Sequence, residues 1–235
     1  MKAVAPALLP AAGFWRRYAA WSLDFAVLGA VATLLTWPQL RAGGHAVGLA
    51  AAQLSAHAGQ ALADALMSGT APQALSQSLL HDPGLRAAAA AVQAGVWQML
   101  WPWLLAYAVL AAVWHVGGEC SRWQGSPGKR ALRLRVTDLD GAPPAPTRAA
   151  LRHVAAALSW LTLNLGHALA ALPPQRRALH DYLAGTRVAC ADGDPRLPAA
   201  AATWLLLQAV VGVAVVAWLL LRYVAALQAA LAGQL

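Results

Sequence analysis

Residues Tyr18 to Trp37 read YAAWSLDFAVLGAVATLLTW, an apolar run of 20 residues interrupted only by Ser22, Asp24, Thr33 and Thr36 and closed by Pro38. A helix of that length covers the roughly 30 Å hydrocarbon core of a bilayer. Trp15 and Trp37 bracket the run. Their spacing corresponds to about 33 Å of helix, which puts both indoles at the depth where interfacial aromatics collect. The stretch therefore predicts a membrane-spanning helix, and with it an all-α transmembrane bundle.

Two further runs repeat the pattern. Val96 to Val116 carries Trp97, Trp101 and Trp103 near one end and Trp114 near the other, with Pro102 as an expected kink or interfacial first turn. Ala199 to Leu221 has no charge before Arg222, and its helix is expected to continue through Ala225 to Leu231. Composition agrees: 60% of the 235 residues are hydrophobic and 11% charged, with mean hydropathy +0.52. Soluble domains carry about 25% charged residues, so a soluble enzyme is the wrong class. The opening MKAVAPALLPAAG is not expected to be a cleaved signal, because Pro6 and Pro10 break its short apolar run and Arg16 and Arg17 follow. Residues 39–95 are neutral and rich in Ala, Gln and Ser, predicting a helical insertion broken near Gly69 to Pro72 and at Asp82-Pro83-Gly84.

The distribution of bases orients these runs. Lys2, Arg16 and Arg17, six bases between Glu119 and Arg148, and four within 173–198 contrast with Arg41 and Arg86 alone in 39–95 and Arg222 in the tail. The positive-inside rule then places the N-terminus, the central loop and 173–198 in the cytoplasm, with 39–95 and the C-terminus outside. A fourth apolar run, Ala149 to Leu172, cannot then be a single crossing. It is expected to be a re-entrant or interfacial helix, with a simple span as the alternative. Two alternating segments, Leu132 to Val136 and Thr186 to Ala191, each precede an Asp-Gly turn and are too short to stand alone. We expect them to pair as a short cytoplasmic β ribbon, with Leu132, Leu134, Val136, Val188 and Cys190 inward and Arg133, Arg135, Arg187 and Ala189 outward. The net charge of +8 is read as a topology signal and as attraction to anionic headgroups, not as a nucleic-acid surface. Cys120 and Cys190 are expected to be inert reduced thiols.

Few residues are chemically out of place. Asp24 is the acid inside an apolar run, where a carboxylate costs about 2.5–3.5 kcal/mol on insertion scales and needs a polar partner. Arg17 stands seven residues earlier on nearly the same helical stripe, about 10 Å away along the axis, so the two are expected to share a polar interior. In the fourth run, His153, Trp160, Asn164 and His167 fall on one stripe, with Arg152 and Ser159 to the side. Asn164 or His167 is a candidate partner for Asp24. Leu179-His180-Asp181 has no activated nucleophile beside it, Ser126-Pro127-Gly128-Lys129-Arg130 lacks the rest of a phosphate loop, and His45, His57 and His81 lack metal spacing. No enzymatic role, metal or cofactor is expected.

Three segments in order resemble the RDD family of bacterial membrane proteins, named for one arginine and two aspartates. FWRRYAAWSLDFAVLG is similar to its first helix, with Arg17 and Asp24 as the arginine and first aspartate. GSPGKRALRLRVTDLDG resembles its loop, and RRALHDYLAGTRVAC its closing segment, where Asp181 matches the second aspartate and Asp138 is the rival. The resemblance implies a small multi-pass inner-membrane protein with a suggested transport role. It gives a domain plan of a cytoplasmic N-terminus 1–14, an RDD-like domain 15–191 holding the external insertion 39–95, and a linker with an added transmembrane helix over 192–235. The expected function is binding or transport of a small ion, with cation/proton exchange at Asp24, tuning by Arg17, and His153, Asn164 and His167 lining the cavity. The alternative is a non-transporting scaffold or assembly factor with a basic lipid- or partner-binding face. Expected partners are the bilayer with its anionic headgroups, a small cation or proton, and a second copy or another membrane protein.

Overall fold

The structure is a computed structural model and describes residues 9–161 and 164–232. Three helices are long and apolar enough to cross a membrane: α1 (Phe14–Leu35), α4 (Pro83–Cys120) and the part of α9 (Ala199–Ala232) up to Ala225. α4 and α9 contain the second and third expected spans; the first, expected over Tyr18 to Trp37, ends two residues earlier, at Leu35, and Trp37 opens the next helix. Between α1 and α4 lie α2 (Trp37–Met67) and α3 (Pro72–His81), interrupted where Gly69 and Asp82-Pro83 predict. Gly69 sits at φ +62°, and Asp82 Oδ1 accepts a bond from the backbone N–H of Leu85 at 2.7 Å, capping α4. Of the N-terminal segment, residues 1–8 lie outside the described residues.

The chain divides into two compact units, one of residues 26–111 and one of residues 1–25 with 112–235. In the first, the helices approach through small residues. A Cβ on Gly43 would come within 2.8 Å of the Met99 Cβ, and one on Gly95 within 2.9 Å of Val47 Cγ2. Such contacts let backbones come close where lipid supplies no hydrophobic driving force. Trp103 Nε1 adds a bond to Thr33 Oγ1 at 3.0 Å.

The second unit is built around a β ribbon. Strand β1 (Leu134–Asp138) pairs antiparallel with β2 (Thr186–Cys190), with Leu134 opposite Cys190 and Val136 opposite Val188. β1 starts two residues later than its alternation implies, because Pro127–Ala131 form a short helix, α5, and Arg133 turns the chain at φ +51°. Leu132, Leu134, Val136, Val188 and Cys190 are buried as expected and pack on Ala12, Ala19, Ala20 and Ala201. Ala189, expected to face outward, is also buried at 2% exposure. The reason is a third short segment on the free edge of β2: Ala12 donates to the Val188 carbonyl at 3.0 Å and Cys190 to that of Pro10 at 2.9 Å. α9 is tied to α1 where Trp204 Nε1 and Gln208 Nε2 both donate to Ser22 Oγ at 3.0 Å.

The fourth apolar run does not cross. α6 (Pro146–Leu161) has 16 residues, about 24 Å of helix. The chain turns at Asn164, φ +65°, through α7 (Leu165–Ala168) and a 3₁₀ turn (Leu169–Ala171), and α8 (Leu179–Ala184) packs back on α6. Gly185, φ +63°, caps α8 and feeds β2. An excursion that leaves from β1 and returns to its partner β2 comes back to the face it left, so this segment is re-entrant or interfacial. Its side chains are arranged inside out: Leu151, Val154 and Leu158 are exposed, whereas Ala149, Arg152, Ala155 and Ser159 are buried. A helix with that pattern suits a lipid surround and a polar protein interior.

Candidate functional site

The inside-out helix brings Arg152 into a buried ionic chain. Arg152 Nε donates to Asp181 Oδ1 at 2.9 Å, and its Nη1 pairs with Glu119 Oε1. Arg17 Nη1 lies 2.5 Å from Asp181 Oδ2, and Lys129 Nζ lies 2.6 Å from Glu119 Oε1. The order is Arg17, Asp181, Arg152, Glu119, Lys129, drawn from α1, α8, α6, the end of α4 and α5. Asp181 is fully buried and accepts a third bond from the backbone N–H of Ala178 at 3.0 Å. Burial works against its charge, but Arg17 and then Arg152 hold its carboxyl well below the usual carboxylate range.

Asp24 stands apart from this chain yet closes it. Its carboxylate accepts from Ser126 Oγ at 2.5 Å, from the Gly128 N–H at 2.8 Å and from Trp114 Nε1 at 2.8 Å. Gly128 precedes Lys129, so α5 returns the network to α1. A side chain at 128 would not fit, since a Cβ there would lie 2.3 Å from the Ala20 carbonyl and 2.8 Å from the Asp24 carboxyl carbon. Arg17, Lys129 and Arg152 balance Asp24, Glu119 and Asp181, so the six charges sum to zero. Arg16, on the same helix, holds the segment after β2 through Asp192 at 2.6 Å and the turn before β1 through the Leu132 carbonyl at 3.0 Å.

The sequence-predicted residues therefore fall into separate groups. Arg17 and Asp24 lie on one helix but have different partners. Neither Asn164 nor His167 reaches Asp24; Asn164 is exposed at the turn. His153 stacks on His115, ring centroids 6.0 Å apart, and His167 lies against His180 at 5.1 Å. The Trp160 side chain lies outside the described residues. Asp138, the rival second aspartate, takes the backbone N–H groups of Asp140 and Ala142 in its own turn.

The histidine pair has a definite chemistry. Arg152 Nη2 lies 3.2 Å from His180 Nε2. A guanidinium only donates, so Nε2 accepts and the proton of the neutral ring sits on Nδ1. The Asp181 carboxylate 3.6 Å from the same nitrogen would be an ion pair only if the ring were protonated. Burial, and then Arg152, push the imidazole well below its ordinary 6.5, so we assign the neutral form. Among the described residues, the Nδ1 atoms of His180 and His167 are both buried without a hydrogen-bond partner. Burial likewise lowers His167 and His153.

Glu119, Lys129 and Arg152 are the members that sequence reasoning missed. The usable signal for Arg152 was the leucine-rich face of its helix: in lipid that face points outward, so the buried stripe is the one opposite.

No curated protein and no solved structure matches this chain. The model of the RDD family matches residues 11–185, a stretch that takes in Arg17, Asp24 and Asp181 and every other member of the ionic network. The chain is a membrane protein of the RDD family.

Proposed function

We propose that the protein binds or moves a small ion in a proton-linked manner at the His167–His180 pair beside Asp181, in the bacterial inner membrane with its N-terminus in the cytoplasm. The observation that carries this reading is the pair of buried Nδ1 atoms that have no partner among the described residues, next to a carboxylate held by two arginines. A buried polar atom without a partner costs free energy, and a water between the rings that accepts from the His180 Nδ1–H, or an ion that carries its own water there, would remove that cost. Because burial and then Arg152 keep both rings neutral, a proton taken up there is readily released again. In this reading Asp24, with three neutral donors already on it, is a clamp between α1 and α5.

The test is flux through purified protein in liposomes carrying an internal pH dye, with imposed gradients of sodium, potassium or lithium. The expected result is a cation-dependent pH change that His180→Gln abolishes; the glutamine still offers Arg152 an acceptor but lacks the second ring nitrogen. Wild-type flux equal to that of protein-free liposomes for all three ions would overturn the reading. It would favour the scaffold, a role supported by the complete pairing of the ionic chain and needing only surfaces. Orientation is tested by reporter fusions after Thr70, Asp140, Gly193 and Leu235, expected outside, inside, inside and outside.

A further inference from the structure

One charged surface takes no part in the ionic network. A cavity of about 530 Å³ is lined by Arg122, Trp123, Arg130, Arg133, Leu134, Arg135, Ala191 and Asp192. Its four arginines are exposed, and among the described residues none is in an ion pair. The one acid on the wall, Asp192, is engaged by Arg16. Arg130 stacks over the Trp123 ring with its guanidinium carbon 4.3 Å from the centroid, which fixes one fork against a rigid wall. Arg133 and Arg135 alternate at the start of β1, and Arg122 follows the last residue of α4, Cys120, by two positions.

Four guanidiniums around one cavity repel one another, and folding gives them no counter-charge. Forked N–H donors match the oxygens of a phosphate, which they bind bidentately. The place matters too. The cavity lies at the end of α4, a helix long and apolar enough to cross a membrane, and the end of such a helix is where basic residues meet anionic headgroups.

We propose that Arg122, Arg130, Arg133 and Arg135, gathered on Trp123 at the end of α4, form a binding site for a phosphate group, supplied by an anionic phospholipid headgroup or by free phosphate. The site is independent of the histidine pair and of any transport.

The test uses the full chain in nanodiscs of phosphatidylcholine with and without phosphatidylglycerol, scored by native mass spectrometry for retained lipid, alongside a thermal-shift titration with inorganic phosphate. Arg122→Gln with Arg135→Gln removes two forks whose side chains make no hydrogen bond or ion pair among the described residues, so the fold should be kept. Arg148→Gln with Arg187→Gln removes the same charge elsewhere in the same unit. Wild type should retain phosphatidylglycerol over phosphatidylcholine, and the first variant should lose about tenfold or more in affinity while the second loses little. Saturation by inorganic phosphate without lipid preference supports the site with a soluble source. Equal losses in the two variants would reduce the effect to diffuse charge and overturn the proposal, as would wild type that binds neither.

Discussion

The two compact units hold their helices together by different means. Residues 1–25 with 112–235 bury six charges, five in one ion-paired chain and Asp24 on neutral donors beside it. Among the described residues, 26–111 contain no ion pair; several of their polar side chains serve their own helices, as when Ser55, Ser76 and Ser78 bond carbonyls three or four residues back, and Trp103 reaches Thr33 by a neutral bond. Burying charge is expensive and loses its compensation when one partner is removed, whereas close packing of small residues fails gradually. The difference predicts that single polar substitutions will be far more damaging in the charged unit.

The sharpest way to break that comparison is Asp181→Asn, which strands Arg17 and Arg152 together. It should cost about 3–5 kcal/mol, read as lower unfolding stability in detergent, and a loss under about 1 kcal/mol would show that the network is not integral. Acid should act in the same direction. His153, His167 and His180 have lowered folded values, so the unfolded chain takes up more protons and stability falls as pH drops below about 6.5. Asp181, also lowered, contributes fully above the ordinary carboxylate value and loses its share only as pH falls through its own depressed one. Melting temperature against pH should thus show an upper step that His180→Gln flattens and a lower one that Asp181→Asn removes.

Gly128→Ala comes next. Its methyl group would press on the Ala20 carbonyl and pull the 128 N–H off Asp24, costing about 1–3 kcal/mol. Equal stability of the variant would mean that α5 can back away freely. In the other unit Asp82→Ala removes a helix cap and should cost about 1 kcal/mol. A loss as large as that of Asp181→Asn would erase the contrast. The smallest effect is expected from Leu134→Cys in a Cys120→Ser background. Residue 134 faces Cys190 in register, so oxidation should link them, while the same change at 136, which faces Val188, should link poorly.

Much of this architecture was legible because hydropathy and punctuation are local. The three spans, the breaks before Pro72 and Pro83 and the inward set of the ribbon all rest on near neighbours. The network was not, because the bonds of Arg17, Asp24 and Arg152 to their partners join segments far apart in the chain. Glu119 sits just past Gly117-Gly118, which read as the end of a span, although α4 runs on to Cys120. Anchoring the α6 stripe on its histidines pushed Arg152 to the side, yet it is the middle of the ionic chain, paired with both Glu119 and Asp181. Rotation placed Arg17 and Asp24 on one stripe, but their partners come from other elements and no periodicity names them.

The pairing of Arg17 has a consequence for how the protein is made. Its carboxylate lies 164 residues downstream, so at ordinary translation rates α1 reaches the ribosome exit on the order of ten to thirty seconds before Asp181 exists. Asp24 waits less, since Trp114, Ser126 and Gly128 emerge first. The first helix must therefore be held by the insertion machinery with its charges open, and a chain cut short before residue 181 carries a bare arginine at the membrane surface, a mark by which unfinished copies can be told from complete ones.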